Sequence, residues 1–188
     1  QSVVDVVFWR CVVGGAMLLL VCRALGLLRA ELLGRRVLTL AVVSGVAIVG
    51  NWLLLFASYS KASIAISTAV YNVQPFMLVG LGALFLGERI TLVKLAWLVV
   101  AFLGMLAIVS AHGDTGASGE NYLLGIALAL GAALLYALAA LIVKRLSGTP
   151  PHLIALIQLL TGILMLAPLA GYQLPERPQA WASLVTLG

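Results

Sequence analysis

Roughly 24 residues without a charge, from Ile64 to Gly87 and closed by Glu88, limit this chain more than any other feature (IAISTAVYNVQPFMLVGLGALFLGE). At about 1.5 Å per residue, a helix of that length crosses the ~30 Å hydrocarbon layer of a bilayer. Its halves differ. The first carries Ser67, Thr68, Tyr71, Asn72 and Gln74 and then Pro75, whereas the second is almost entirely aliphatic residues and glycine. At about 100° per residue, Ser67, Tyr71 and Gln74 share one helix face, with Thr68 and Asn72 beside it. Pro75 cannot donate to the Tyr71 carbonyl, so it frees a backbone acceptor at mid-membrane depth beside that polar face. Polar groups persist in lipid only where protein or a wet cavity satisfies them. A kink patched by neighbouring side chains is one reading; the wall of a solute pathway is the other. Five polar groups exceed what one kink needs, which favours the pathway.

The rest of the chain fits the same environment. It is 63% hydrophobic and 9% charged, with a mean hydropathy of +1.18. Soluble domains average about 45–50% and about 25%. An integral membrane protein is therefore expected, and the net charge of +5 is not read as a nucleic-acid signal. No basic, apolar and cleavable segments follow one another as in a signal peptide. The chain starts without Met and stops within an apolar run, so it reads as a fragment cut at both ends. Cys11 and Cys22 fall on one predicted helix about 16 Å apart along its axis, too far to bridge.

Six complete spans are expected: Val3–Leu28, Val37–Ala57, Ile64–Gly87, Leu92–Ala111, Tyr122–Val143 and His152–Tyr172. A seventh begins near Ala180. Short linkers make consecutive helices antiparallel neighbours. Linkers on one side carry Arg29, Arg35, Arg36, Arg89, Lys94, Lys144 and Arg145; those on the other carry Lys61 and Arg177. Seven cations against two put the first side in the cytoplasm.

Several spans hold candidate residues. Arg10 lies inside the first, where it either faces a cavity or snorkels to the outer headgroups. Asp5 is read as interfacial, and Gly14, Gly15 and Ala16 as a close-packing patch. Asn51 in the second span is an interhelical hydrogen-bonder or a solute contact. Gly125, Ala129, Ala133 and Ala137 recur every four residues, a ladder along which another backbone can approach. Tyr136 is the polar ring on an adjoining face. Gln158 and Thr161 share a face of the sixth span. Shifting the sequence by 148 residues pairs Gln158 with Arg10, Gly162 with Gly14, Met165 with Met17 and Leu166 with Leu18. The first span runs inward and the sixth outward, as an inverted-topology repeat requires.

The run Gln74–Thr91, QPFMLVGLGALFLGERIT, resembles the signature of EamA-type transporters of the drug/metabolite transporter superfamily. There a Pro-containing helix ends in an L-G-E-R-hydroxyl turn, here Leu86, Gly87, Glu88, Arg89 and Thr91. The resemblance implies an all-α, polytopic membrane helical bundle of two inverted five-helix repeats. Residues 1–111 would form a first repeat lacking its first helix, and 122–188 the start of the second. It also implies an inner-membrane location, a possible homodimer, and helices starting near Val3, Val37, Ile64 and His152 around a central cavity. Pro75, Gly87, Glu88 and Arg89 are given structural roles, with Gly87 as a helix C-cap.

The function expected is alternating-access export of small metabolites, amino acids among them. Arg10, Asn51, Tyr71, Asn72, Gln74 and Gln158 are the expected pathway residues. No cofactor, metal or nucleic acid enters this reading; the partners are the solute and the lipid bilayer. The alternatives are an intramembrane enzyme, for which no H-E-x-x-H motif or pair of membrane aspartates appears, and a structural membrane subunit, which has no use for the polar face.

Overall fold

A computed structural model describes residues 3–88, 90–111 and 120–171. The fold is an all-α membrane helical bundle. Its helices are α1 (Val3–Ala24), α2 (Arg35–Ala62), α3 (Ile64–Tyr71), α4 (Gln74–Leu86), α5 (Leu92–Ala111), α6 (Glu120–Lys144) and α7 (Pro151–Leu166), with a 3-10 turn at Ala30–Leu32. Among the described residues, α1, α2, the α3–α4 pair and α6 are long and apolar enough to cross a membrane, and α5 and α7 contribute shorter apolar segments. Leu20, Leu84, Leu92, Trp97 and Leu164 are all at least 65% exposed, as side chains facing lipid tails are. The expected seventh span, and Arg89, lie outside the described residues.

Helix ends differ from the expected boundaries for local reasons. α1 stops at Ala24 rather than Leu28 because Gly26 takes φ +63°. The Leu27 N–H then reaches the Cys22 carbonyl (2.9 Å) and the Gly26 N–H that of Arg23 (3.1 Å), a Schellman closure needing a left-handed residue. α7 likewise ends at Leu166, short of Tyr172, and a turn follows in which the Leu169 and Ala170 N–H groups reach the Leu166 carbonyl. The largest difference is in the third span. It is two helices, α3 and α4, separated by Asn72 and Val73.

Contacts divide the chain into two units. One holds residues 1–49 and 142–188, the other 50–141. In the first, glycines let helices touch: a Cβ on Gly162 would lie 2.7 Å from Cys11 Sγ, and one on Gly45 3.0 Å from Gln158 Cα. Gly14 and Gly15 of α1 are buried, while Ala16 is exposed. Beside them Ala41, Leu146, Leu153, Ile154 and Ile157 form an apolar cluster. Gln158 Nε2 donates to Ser44 Oγ at 3.0 Å, tying α7 to α2.

In the second unit α6 lies against the C-terminal half of α2. A Cβ on Gly125 would fall 2.5 Å from Ala62 Cβ, and Ala129, Ala133 and Ala137 have no exposed surface. The four-residue ladder is therefore the face on which α6 packs. α3 contacts α5, and the rings of Phe76 and Phe102 meet edge to face at 5.8 Å.

Candidate functional site: a broken helix with unbonded polar groups

The break between α3 and α4 follows from one residue. A continuous helix would bond the Tyr71 carbonyl to the N–H of residue 75, which proline lacks. Here the Asn72 N–H turns to the Thr68 and Ala69 carbonyls, at 3.1 and 3.2 Å, and the Val73 N–H to Val70 at 3.1 Å. Helix geometry resumes one step later, with the Phe76 and Met77 N–H groups both donating to the Val73 carbonyl at 3.0 and 3.2 Å. Pro75 sits in the first turn of α4, where its missing donor costs nothing. At its other end α4 is closed by Gly87 at φ +64°, ψ +26°. The Glu88 side chain folds back over that end: a Cβ on Gly82 would be 3.3 Å from Glu88 Oε2, and Lys94 Nζ lies 4.0 Å from the same oxygen.

Around the break, polar atoms are buried without partners. Ser67 Oγ, Gln74 Oε1 and both polar atoms of the Asn51 amide make no hydrogen bond among the described residues. Ser67 and Asn51 have no exposed surface at all. They come from three helices of one unit: α2, α3 and α4. Tyr71 lies between them in character, half-buried, with its hydroxyl close to the Asn51 side chain and its ring 6.3 Å from that of Tyr136 of α6 at 73°. Thr68 and Asn72, four residues apart, are exposed on the neighbouring face.

The set is all amides, hydroxyls and phenols. Such groups bind and orient a solute by hydrogen bonding; none is a nucleophile paired with a base. An apolar recess of about 380 Å³ in the same unit, lined by Phe76, Val79, Leu95, Leu98, Val99 and Phe102, has no group that orients a polar molecule.

Of the residues expected along a pathway, Asn51, Tyr71, Asn72 and Gln74 are thus in one unit, and the first two are adjacent. Arg10 and Gln158 belong to the other unit. Arg10 is half-buried, and Gln158 has a protein partner in Ser44. Asp5 differs from its interfacial expectation: it is 1% exposed, because it lies on the inward side of α1 with the buried Phe8, while Val3 in the same turn is exposed. Ser44 was not singled out in the sequence; a serine beside Gly45 in an apolar run reads as another small packing residue.

Comparison with known proteins agrees with the sequence resemblance. Residues 1–110 match the EamA-like transporter family. The "Uncharacterized transporter YxxF" of Bacillus subtilis (strain 168) is 28% identical over 164 residues. That match covers 87% of this chain and 52% of the relative, so the chain spans about half the relative's length. A solved crystal structure superimposes with a TM-score of 0.76 at 19% identity, over 100% of this chain and 65% of that one, so the two share a fold. The match over most of the sequence, on a multi-pass helical membrane protein, makes the chain a member of the EamA-like transporter family.

Proposed function

We propose that this chain is part of a secondary transporter that exports small metabolites, amino acids among them, by alternating access across the inner membrane. The pathway in this reading is walled by Asn51, Ser67, Tyr71, Asn72 and Gln74, all of one unit. The observation that carries this reading is the group of buried, unbonded polar atoms at the helix break. An unsatisfied buried polar group costs about 1–3 kcal/mol, and a chain that keeps several near one break has a use for them that folding does not supply. Discontinuous helices at the membrane midplane are also where transporters place their solute sites. The correspondence of α1 with α7, related by the 148-residue shift, supports two inverted repeats with boundaries at 1–111 and 122–188. A homodimer is compatible with this arrangement.

Uptake by right-side-out and inside-out vesicles holding the full-length protein, run against a metabolite panel, tests the direction and the solute class. Asn72→Ala and Gln74→Ala should each lower transport of the identified solute while the amount of folded protein in the membrane holds. Unchanged kinetics in both variants would remove this face from the pathway.

A further inference from the structure

The N-terminal end of α2 forms a second polar feature, of opposite chemistry to the first. A cavity of about 560 Å³ is lined by Arg35, Arg36, Thr39, Leu40 and Arg145. All five belong to one unit. We propose that it binds the phosphodiester headgroup of an anionic phospholipid in the leaflet that the linker charges assign to the cytoplasm.

Arg35, Arg36 and Arg145 share this cavity, and no acidic side chain lines it among the described residues. Arg35 and Arg36 make no ion pair or side-chain hydrogen bond among the described residues. Arg35 and Arg36, adjacent like charges, repel, and an anion supplied from outside relieves them. Guanidinium suits phosphate better than ammonium does, because its planar fork gives two parallel N–H···O bonds. The first turn of α2, whose backbone N–H groups lack intrahelical acceptors, adds positive potential at the same end. Thr39 contributes little as a donor, since its hydroxyl proton goes to the Arg35 carbonyl at 2.9 Å.

The surroundings select a lipid over a free phosphate. Leu40 forms an apolar wall of the cavity itself. On the same stretch of α2, Leu38, Val42 and Val43 are 46%, 37% and 48% exposed. Anchored at the arginines, a phospholipid lays its acyl chains along this apolar face, whereas inorganic phosphate has nothing to place there. Basic cavities at the cytoplasmic ends of membrane helices are suited to such headgroups.

The test uses the full-length protein in nanodiscs of phosphatidylcholine with graded phosphatidylglycerol, reading retained lipid by native mass spectrometry after mild detergent release. Phosphatidylglycerol should be retained in preference to phosphatidylcholine, and excess inorganic phosphate should not displace it. Arg35→Gln/Arg36→Gln should lower its retention by roughly tenfold or more, given the usual contribution of each cation near an anionic surface. Because those charges also direct insertion, Arg35→Lys/Arg36→Lys is read beside it; it keeps the charge, inserts normally and should still lose several-fold. Equal retention of the two lipids, displacement by phosphate, or wild-type retention in the Lys variant would overturn the proposal. The readout does not depend on transport, so it stands or falls apart from the pathway at the helix break.

Discussion

Gly125→Ala is the most direct test of how the second unit is packed. A methyl group there would lie 2.5 Å from Ala62 Cβ, 2.8 Å from the Ala62 backbone nitrogen and 3.1 Å from Lys61 Cβ. Carbon atoms normally meet at about 3.5–4.0 Å, so α6 and α2 must part by about 1 Å; a backbone nitrogen has no rotamer by which to step aside. Overpacking of this kind costs about 1–3 kcal/mol. Alanine returns about 0.8–1.0 kcal/mol through its better helix propensity. The balance remains a loss of up to about 2 kcal/mol, and the displaced helix also loosens Ala129, Ala133 and Ala137 on the same face. Gly104→Ala is the control, since nothing lies within 4 Å of its added methyl; it should be neutral or slightly stabilising. In the Gly125→Ala background, Ala62→Gly removes the closest contact and leaves the nitrogen in place, so it should restore part of the loss. The assay is heating of the full-length protein in detergent, followed by the fraction that stays monodisperse on size exclusion. Gly125→Ala as stable as wild type, with Gly104→Ala behaving as stated, would show that α6 does not approach α2 along this face.

Two further outcomes follow from groups that are unsatisfied or strained. Asn51→Leu replaces an amide that lies beside the Tyr71 hydroxyl without a well-formed hydrogen bond by an apolar group of similar volume; it should keep or slightly raise stability while lowering solute transport, and a stability loss of about 1–3 kcal/mol would mean that the amide and the hydroxyl are bonded. Ser63→Gly should raise the unfolding midpoint, because Ser63 holds φ +61°, ψ +156° between α2 and α3, near a region open mainly to glycine and costing about 1–3 kcal/mol. The cap it gives up is weak, a 3.5 Å bond from the Ile66 N–H to Ser63 Oγ, so a lowered midpoint would show that this cap outweighs the strain.

What the sequence reveals and what it hides divide along a physical line. Helical class and span positions rest on long apolar runs, and the Gly125–Ala137 ladder on a period; both are local. So is proline's missing donor, which locates the disturbance at Tyr71–Pro75. Whether the chain answers with a kink or with two helices depends on where the neighbouring N–H groups turn. The two bonds from the Asn72 N–H and the two bonds to the Val73 carbonyl decide it. The Ser44–Gln158 bond joins residues 114 apart in the chain, and nothing near either one in sequence announces it. The burial of Asp5 is hidden in the same way: a carboxylate close to a helix start looks interfacial until the chain that covers it is known.

In a hydrocarbon environment, whether a polar group is satisfied separates scaffold from site better than whether it is polar. Ser44, Ser58 and Thr161 each donate to a carbonyl one turn back, at 2.9, 2.6 and 2.8 Å. Gln158 then finds Ser44 across the helix pair. These groups are closed: the three hydroxyls bond within their own helices, and the Gln158–Ser44 bond ties α7 to α2 at the modest strength typical of such bonds in membranes. Ser67 resembles Ser44 in residue type and burial, yet its hydroxyl finds no acceptor one turn back or anywhere else among the described residues. Asn51 and Gln74 share that condition, and the proline that breaks the span lies next to one of them. A kink patched by its neighbours would use donors such as the Ser67 hydroxyl and the Asn51 amide N–H to cap the freed backbone, and those two atoms make no hydrogen bond among the described residues. On the pathway proposed above, the unbonded groups of this face are what water or a solute would meet.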